Sequence, residues 1–448
     1  MGSARAGRQG SALRVVLQHL RRNAFRRANT FACDAVDRFI LPEAANFAAM
    51  TTLADVREGR CDGARELVLR EGLERFPEEI LTLADTLEVL DLSGNRLSEL
   101  PDGFARLHRL RILFLSGNAF RRLPDVLGRL PALEMVGFKS NLLEDVPETS
   151  LPEQLRWLIL TDNRLRRLPG SLGRRTRLQK LMLAGNRLES LPDFSRCERL
   201  ELVRLAANRL PSLPDSLLEL PRLSWLAYAG NPFCAPRASE ATRISWSNLE
   251  LHGMLGEGAS GTIHRGTYRK TDSVEQPVAI KIFKGAVTSD GYPADEREAS
   301  LAAGSHPHMV SVLGRLDDHP EGRDGLVLDL VPSGYRNLGA PPSYETCTRD
   351  VFSEGTRFTK AFADGVLGAA TSLLHHLHGR GLSHGDLYAH NILVDDAGHA
   401  LLGDFGAASF LTDLPPRQRE TMLEVEHRAL GWLREDLLNR VDTTPSRQ

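Results

Sequence analysis

Lysine is scarce in this 448-residue chain: of 56 basic residues only six are Lys, at positions 139, 180, 270, 281, 284 and 360. A Lys inside a patterned stretch is therefore harder to ascribe to chance. The five cysteines (Cys33, Cys61, Cys197, Cys234, Cys347) are scattered and odd in number, with no Cys-x-x-Cys or Cys/His ligand spacing. That excludes a disulfide-stapled scaffold and an ordinary zinc site, and it fits reduced thiols in a cytoplasm. No apolar run approaches the ~20 residues of a membrane helix and no secretory pattern opens the chain, so no membrane span is expected and the expected location is cytoplasmic. A net charge of -2 names no partner, and nucleic acid is not expected among them. The length exceeds what one core ordinarily organises, so two domains are expected.

Residues 1–33 carry seven Arg and no acidic residue, with Leu13, Val16, Leu17 and Leu20 able to line one helix face. Two readings of 1–49 stay open: a basic arm, or a mis-assigned leader with translation starting at Met50. The second is the one taken. Residues 50–63 then read as a cap leading into the first repeat.

From residue 64 the sequence repeats itself. Asn95, Asn118, Asn141, Asn163, Asn186, Asn208 and Asn231 stand 22 or 23 residues apart, each in the frame Leu-x-x-Leu-x-Leu-x-x-Asn-x-Leu, as in Leu87 to Leu97, with Val, Phe or Tyr taking some of the Leu places. The pattern resembles the leucine-rich repeat family over residues 64–235. Inward Leu residues cannot be buried by one repeat alone, so stacking buries them, while the Asn side chains satisfy backbone groups of neighbouring turns. Residues between the inward Leu, including Phe114, Trp157, Arg204 and Trp225, face the concave side. That face is apolar beyond what solubility needs, which points to a bound protein, substrate or regulator, with Phe114, Trp157 and Trp225 as candidates. The alternative is that it packs on the chain's own second domain. Residues 236–247 read as a linker.

The remaining residues, 248–448, lose the repeat period and gain chemistry. Gly256-Glu-Gly258-Ala-Ser-Gly261-Thr-Ile263 places glycines between two expected strands, where backbone amides can approach phosphates. Val278-Ala279-Ile280-Lys281 is a strand-like run ending in one of the six lysines. An acid must hold that ammonium, and Glu298 is chosen from the acidic stretch 295–303, with Glu296 as runner-up. His384-Gly-Asp386-Leu-Tyr388-Ala-His-Asn391 is followed by Asp404-Phe405-Gly406. Moving a phosphoryl group needs one carboxylate to take the proton of the attacking hydroxyl, and a carboxylate and an amide oxygen to hold metal ions.

These motifs in this order resemble the eukaryotic-type protein kinase family. The resemblance implies an α+β bilobal domain behind an α/β repeat solenoid, using ATP and Mg2+. It makes Asp386 the catalytic base, Lys281 and Glu298 the phosphate-positioning pair, and Asn391 and Asp404 the metal ligands. Gly256, Gly258, Gly261, Ile263, Ala279, Asp329, Val331 and Leu393 would surround the nucleotide. The sequence departs from the family at Gly385, where Arg is usual, at Tyr388, where a Lys or Arg is usual nearby, and at Glu426, where Asp is usual. About twenty residues after Asp404, with no Ala-Pro-Glu, also imply a shortened C-terminal lobe. The function expected is a Ser/Thr protein kinase whose repeats bind a partner or substrate. The alternatives are a nucleotide-binding pseudokinase scaffold and a small-molecule kinase.

Overall fold

The computed structural model describes residues 51–442 apart from 238, 239, 259, 272 and 286, so the reading of 1–49 lies outside the described residues. A one-turn helix, α1 (Leu53–Arg57), opens the fold, with the Thr52 side chain accepting from Asp55 N in a capping box. One three-residue strand per repeat follows: β1 (Glu66–Val68), β2 (Val89–Asp91), β3 (Ile112–Phe114), β4 (Met135–Gly137), β5 (Trp157–Ile159), β6 (Lys180–Met182), β7 (Leu202–Arg204) and β8 (Trp225–Ala227). They pair in parallel in that order as one eight-stranded sheet.

The Asn column explains how so short a strand suffices. Asn163 Nδ2 donates to Phe138 O (2.8 Å) and Leu160 O (3.0 Å), and its Oδ1 accepts from Leu143 N (2.9 Å). Each Asn thus supplies bonds that the strand is too short to make. The convex side begins each time after a Pro: short 3-10 turns start behind Pro101, Pro124, Pro147 and Pro169, and α2 (Asp215–Leu218) behind Pro214. A fixed φ and a missing N–H cost nothing at a helix start.

The second half begins with β9 (Arg243–Ser245), which lies inside the stretch read as linker. It pairs with a strand of the next sheet, so ordered structure starts earlier than expected. That sheet contains β10 (Leu249–Glu257), β11 (Gly261–Thr271), β12 (Val274–Phe283), β13 (Val312–Asp317) and β14 (Gly325–Asp329), in the order β10-β11-β12-β14-β13-β9. Between β12 and β13 runs α3 (Pro293–Ala303). After β15 (Arg336–Asn337) comes α4 (Lys360–Gly379), started by Thr359 accepting from Phe362 N. It buries Phe362, Val366, Ala370, Leu373 and Leu377, spaced as one helix face. Small strands β16 (Leu382–Ser383), β17 (Ile392–Val394), β18 (Ala400–Leu402) and β19 (Ser409–Phe410) lead to the long α5 (Pro416–Leu438). No described helix is long and apolar enough to cross a membrane.

From β3 to β8 the concave repeat face is largely covered from within the chain. Phe114, Trp157 and Trp225 are 7%, 4% and 1% exposed, because the second half of the chain lies on them. Ile112, Phe114, Met135, Trp157 and Ile159 cluster with Cys347, and Leu202 and Trp225 join the core that holds α4. Arg156 donates to Glu345 O (3.2 Å), and Glu201 accepts from the Thr348 hydroxyl. The expectation of an outside partner on these three residues is corrected: their apolarity belongs to an interface within the chain.

Candidate active site

Lys281, near the end of β12, donates to Glu296 Oε1 in α3 and lies 3.9 Å from Asp404 Oδ1. The expected partner, Glu298, is turned elsewhere and pairs with Arg297 at 2.9 Å. At 3.6 residues per turn, positions 296 and 298 point about 200° apart, so only one can meet the sheet. Burial pushes the Glu296 carboxyl up, against the pull of Lys281. Burial opposes the Lys281 ammonium, but Glu296 and Asp404 outweigh it and hold it above its usual range. For Asp404 burial acts upward and is overcome by Lys281 and the Gly406 N–H, leaving it below the usual carboxylate range. Asp404 has φ 56, a left-handed conformation that Asp tolerates, and it accepts from Gly406 N at 3.1 Å.

The loop from His384 to Asn391 is pinned from several sides. Asn391 Nδ2 donates to Asp386 Oδ2 (2.8 Å) and Asp386 O (3.0 Å). Glu426 of α5 accepts from His384 N (2.7 Å) and Gly385 N (2.9 Å) through Oε1, and its Oε2 lies 2.6 Å from His378 Nε2. His384 and Phe405 are 1% and 4% exposed with rings 5.3 Å apart, so both are packing residues. Asp350 accepts from Ala389 N and meets His390 Nδ1 at 2.6 Å.

The β10–β11 hairpin carries the glycines. Gly256 pairs with Ile263 and Glu257 with Thr262 at the end of β10, and Gly258 N donates to Gly261 O at 2.9 Å. The register sets Ile263 opposite Lys281 and Ala279 opposite Leu328. Asp329 N donates to Ser311 O (3.0 Å) and its carboxylate accepts from Gln276 (3.0 Å), fixing the exit of β14 into half-buried Val331. Leu393, half-buried on β17, pairs with Asn337 and Leu401.

Residues 249–439 match the protein tyrosine and serine/threonine kinase family, and residues 85–143 match the leucine rich repeat family. The second half is a protein kinase domain, and leucine-rich repeats precede it. The kinase domain is similar to the tyrosine-protein kinase Dnt of Drosophila melanogaster, 30% identical over 44% of this chain and 31% of that protein. It is also similar to the receptor tyrosine-protein kinase erbB-4 of Mus musculus (28% identical, 40% of this chain, 13% of that protein). A third relative is the DNA damage-responsive serine/threonine-protein kinase RqkA of Deinococcus radiodurans (30%, 35% and 22%). The chain therefore spans 13% to 31% of the lengths of these three, and both tyrosine and Ser/Thr kinases stand among them.

The kinase domain meets groups that the sequence reading did not connect to it. Arg204 of β7 donates to Asp290 Oδ1 (2.6 Å), to Gly385 O (3.2 Å) and to Asp386 Oδ1. Burial would lower this guanidinium, but Asp386 and Asp290 raise it above its ordinary value. Trp225 stacks on Tyr388 with centroids 4.3 Å apart and planes 10° apart, and its Nε1 donates to Leu387 O at 3.0 Å. Gly385 has φ 72, and a Cβ there would stand 2.5 Å from Ala407 O and 2.9 Å from Leu226 O. Two departures from the kinase pattern, Gly385 and Tyr388, are thus points where the repeats touch the loop. The signal available in sequence was one Arg among apolar concave positions.

The donor set suits a hard cation. Asp404 is held charged with half its side chain exposed. Asn391 spends its amide NH2 on Asp386, which turns the amide oxygen toward other uses. Oxygen ligands of this kind fit Mg2+.

Proposed function

We propose that the kinase domain transfers a phosphoryl group from ATP, with Mg2+, to a Ser or Thr hydroxyl of a protein. The observation that carries the proposal is the joint assembly of Lys281 with Glu296 and Asp404, and of Asp386 with Asn391. In this reading Asp386 orients the acceptor hydroxyl and takes its proton as the oxygen attacks the γ-phosphorus. The bond from phosphorus to the β–γ bridging oxygen breaks, and ADP leaves with that electron pair. Lys281 holds the phosphates that stay behind, and Glu296 keeps Lys281 from turning away. Gly256, Gly258 and Gly261 bring backbone amides near the phosphates, while Ile263, Ala279, Val331 and Leu393 offer apolar surface to the base, and Asp329 its backbone. Asp404 and Asn391 would hold Mg2+, which when bound spreads the charge on the transferring group.

The Ser/Thr choice rests on the reading of the sequence and on relatives such as RqkA. The setting proposed is cytoplasmic, which the scattered cysteines suit. Capture of a substrate by the concave repeat face is not part of the proposal, since the kinase domain covers it.

The test is transfer by the purified chain incubated with Mg-ATP and cell extract, read by mass spectrometry of phosphopeptides beside Asp386→Asn. Loss of the base is expected to lower transfer by roughly 10²- to 10⁴-fold with ATP binding kept. Equal activity of the two proteins would remove Asp386 from the mechanism. Silence from both with ATP bound would favour a pseudokinase scaffold or a small-molecule kinase.

A further inference from the structure

We propose that the repeat domain completes the kinase active site, with Arg204 as the positioning residue that sets the Asp386 carboxylate. The inference rests on the phosphotransfer reading above.

Its first support is where Arg204 stands. Along the concave register row the residues are Asp91, Phe114, Gly137, Ile159, Met182, Arg204 and Ala227. The neighbours on either side, Met182 and Ala227, carry no charge, and the Arg204 side chain is 3% exposed. Burying a guanidinium is costly unless its donors are met. All three acceptors named for it, Asp290, Gly385 and Asp386, belong to the kinase domain. Nothing within the solenoid explains this charge.

The second support is what those acceptors do. Asp386 is held by Arg204 on Oδ1 and by Asn391 on Oδ2, so the carboxylate has both ends tied. An Arg fork suits this task because its donors are fixed relative to one another. Its remaining bond reaches Asp290, three residues ahead of α3. The same approach segment is pressed by the repeats: a Cβ on Gly291 would meet the Ala206 Cβ at 2.8 Å, and one on Gly230 would meet the Tyr292 ring at 2.9 Å. Since α3 carries Glu296, the partner of Lys281, one side chain links the base to the helix that positions the phosphate-binding lysine.

The third support concerns direction. With the repeats docked, Lys281 is paired with Glu296, Asp404 is 3.9 Å from Lys281 and Phe405 is buried. The site is assembled in the docked state rather than pulled apart by it. Meanwhile the catalytic loop has Tyr388 where the kinase pattern sets a cation, and Trp225 covers that ring. Arg204, 182 residues from Asp386 in sequence, brings a cation to the loop by another route.

The experiment uses the full chain and measures ADP release from Mg-ATP with dephosphorylated casein as acceptor probe, giving kcat and KM for ATP. Parent, Asp386→Asn, Arg204→Ala and Arg204→Lys are compared, each with a thermal melt. Arg204→Ala is expected to lose about 100-fold in kcat with KM for ATP within about twofold, because the base is misplaced and the nucleotide cradle is intact. Free guanidinium is expected to restore part of kcat in Arg204→Ala, which a merely structural loss would not show. Arg204→Lys is expected to fall between parent and Ala, and it carries the test should the Ala variant not fold. Parent-like or raised kcat in a folded Arg204 variant overturns the proposal, a rise meaning that the contact blocks the site. A parent no more active than Asp386→Asn instead removes the phosphotransfer reading, and the proposal with it.

Discussion

Replacing Trp225 by Ala measures what the docking of repeats on kinase domain contributes. The side chain is 1% exposed, stacks on Tyr388 and donates to Leu387 O. Removing a buried Trp from a core costs about 3–5 kcal/mol, and that range already includes most of the ring stacking. The Leu387 carbonyl would also lose its donor, a penalty of about 1–3 kcal/mol that overlaps the first because the new cavity admits water. We therefore expect a loss of about 4 kcal/mol. Two bodies joined only by a linker would leave Trp225 on an open concave face, where the same change costs less than ~0.5 kcal/mol. The assay is urea unfolding followed by far-UV circular dichroism and by the fluorescence of the remaining Trp157, Trp246 and Trp432. Trp246 and Trp432 report the kinase half, so their transition should move to lower urea together with the whole. Trp225→Phe keeps a ring over Tyr388 and should lose only about 1 kcal/mol. A loss below about 1 kcal/mol for Ala, or one confined to the repeats, would refute the reasoning.

Glu296→Gln is expected to lower phosphate transfer by about 10²-fold through a loosened Lys281, whereas Glu298→Gln stays within about threefold, as read by the same ADP-release assay. The reverse ranking would restore Glu298. Asp295 supplies a pH signature: burial, with Glu298 adding to it, raises its carboxyl to about 6, and its Oδ2 has no hydrogen-bond partner among the described residues. The folded chain thus binds this proton more tightly than the unfolded one. Stability from this group is present below pH ~4 and is lost as pH rises to about 6, with no further change above. Asp295→Asn should remove that fall, gaining about 1 kcal/mol over the parent at pH 7 after allowing for partial exposure. Urea midpoints that keep the same difference at pH 4.5 and 7 would exclude it.

The repeat register was legible because its unit is local: an Asn every 22 or 23 residues fixes strand, turn and inward Leu at once. The kinase motifs were legible for a similar reason, since Asp386 and Asn391 sit on one loop and bond each other directly. Glu296 against Glu298 was decided by helix phase. That depends on where α3 starts, at Pro293, and on which side the sheet lies, and neither is written in the acidic run itself. The concave face was read correctly as apolar and wrongly as a face for another protein. Apolarity reports burial and is silent on whether the covering surface belongs to the same chain. The concave place of Arg204 was legible but its role was not, because that role lies in partners 86 and 182 residues away.

Those long-range partners make the two halves energetically one body. Leu411, Leu414, Met422 and Val425 of the kinase half are 0% to 3% exposed and belong to the same apolar cluster as the repeat leucines. At about 2 kcal/mol for each buried side chain they contribute roughly 8 kcal/mol, which is comparable with the whole net stability of a domain. Polar contacts then fix the register of that apolar contact: Trp432 Nε1 donates to Ser224 Oγ at 3.0 Å, Arg428 to Leu223 O at 2.7 Å and Tyr228 N to Ser409 Oγ at 3.1 Å. Gly385 leaves room for Leu226 O, and Tyr388 offers a ring to Trp225. A side chain at 385 would push the repeat strand away from the loop, and with it Arg204 from Asp386. The residues that depart from the kinase pattern and the concave residues that depart from solubility therefore answer to one contact, each accounting for the other.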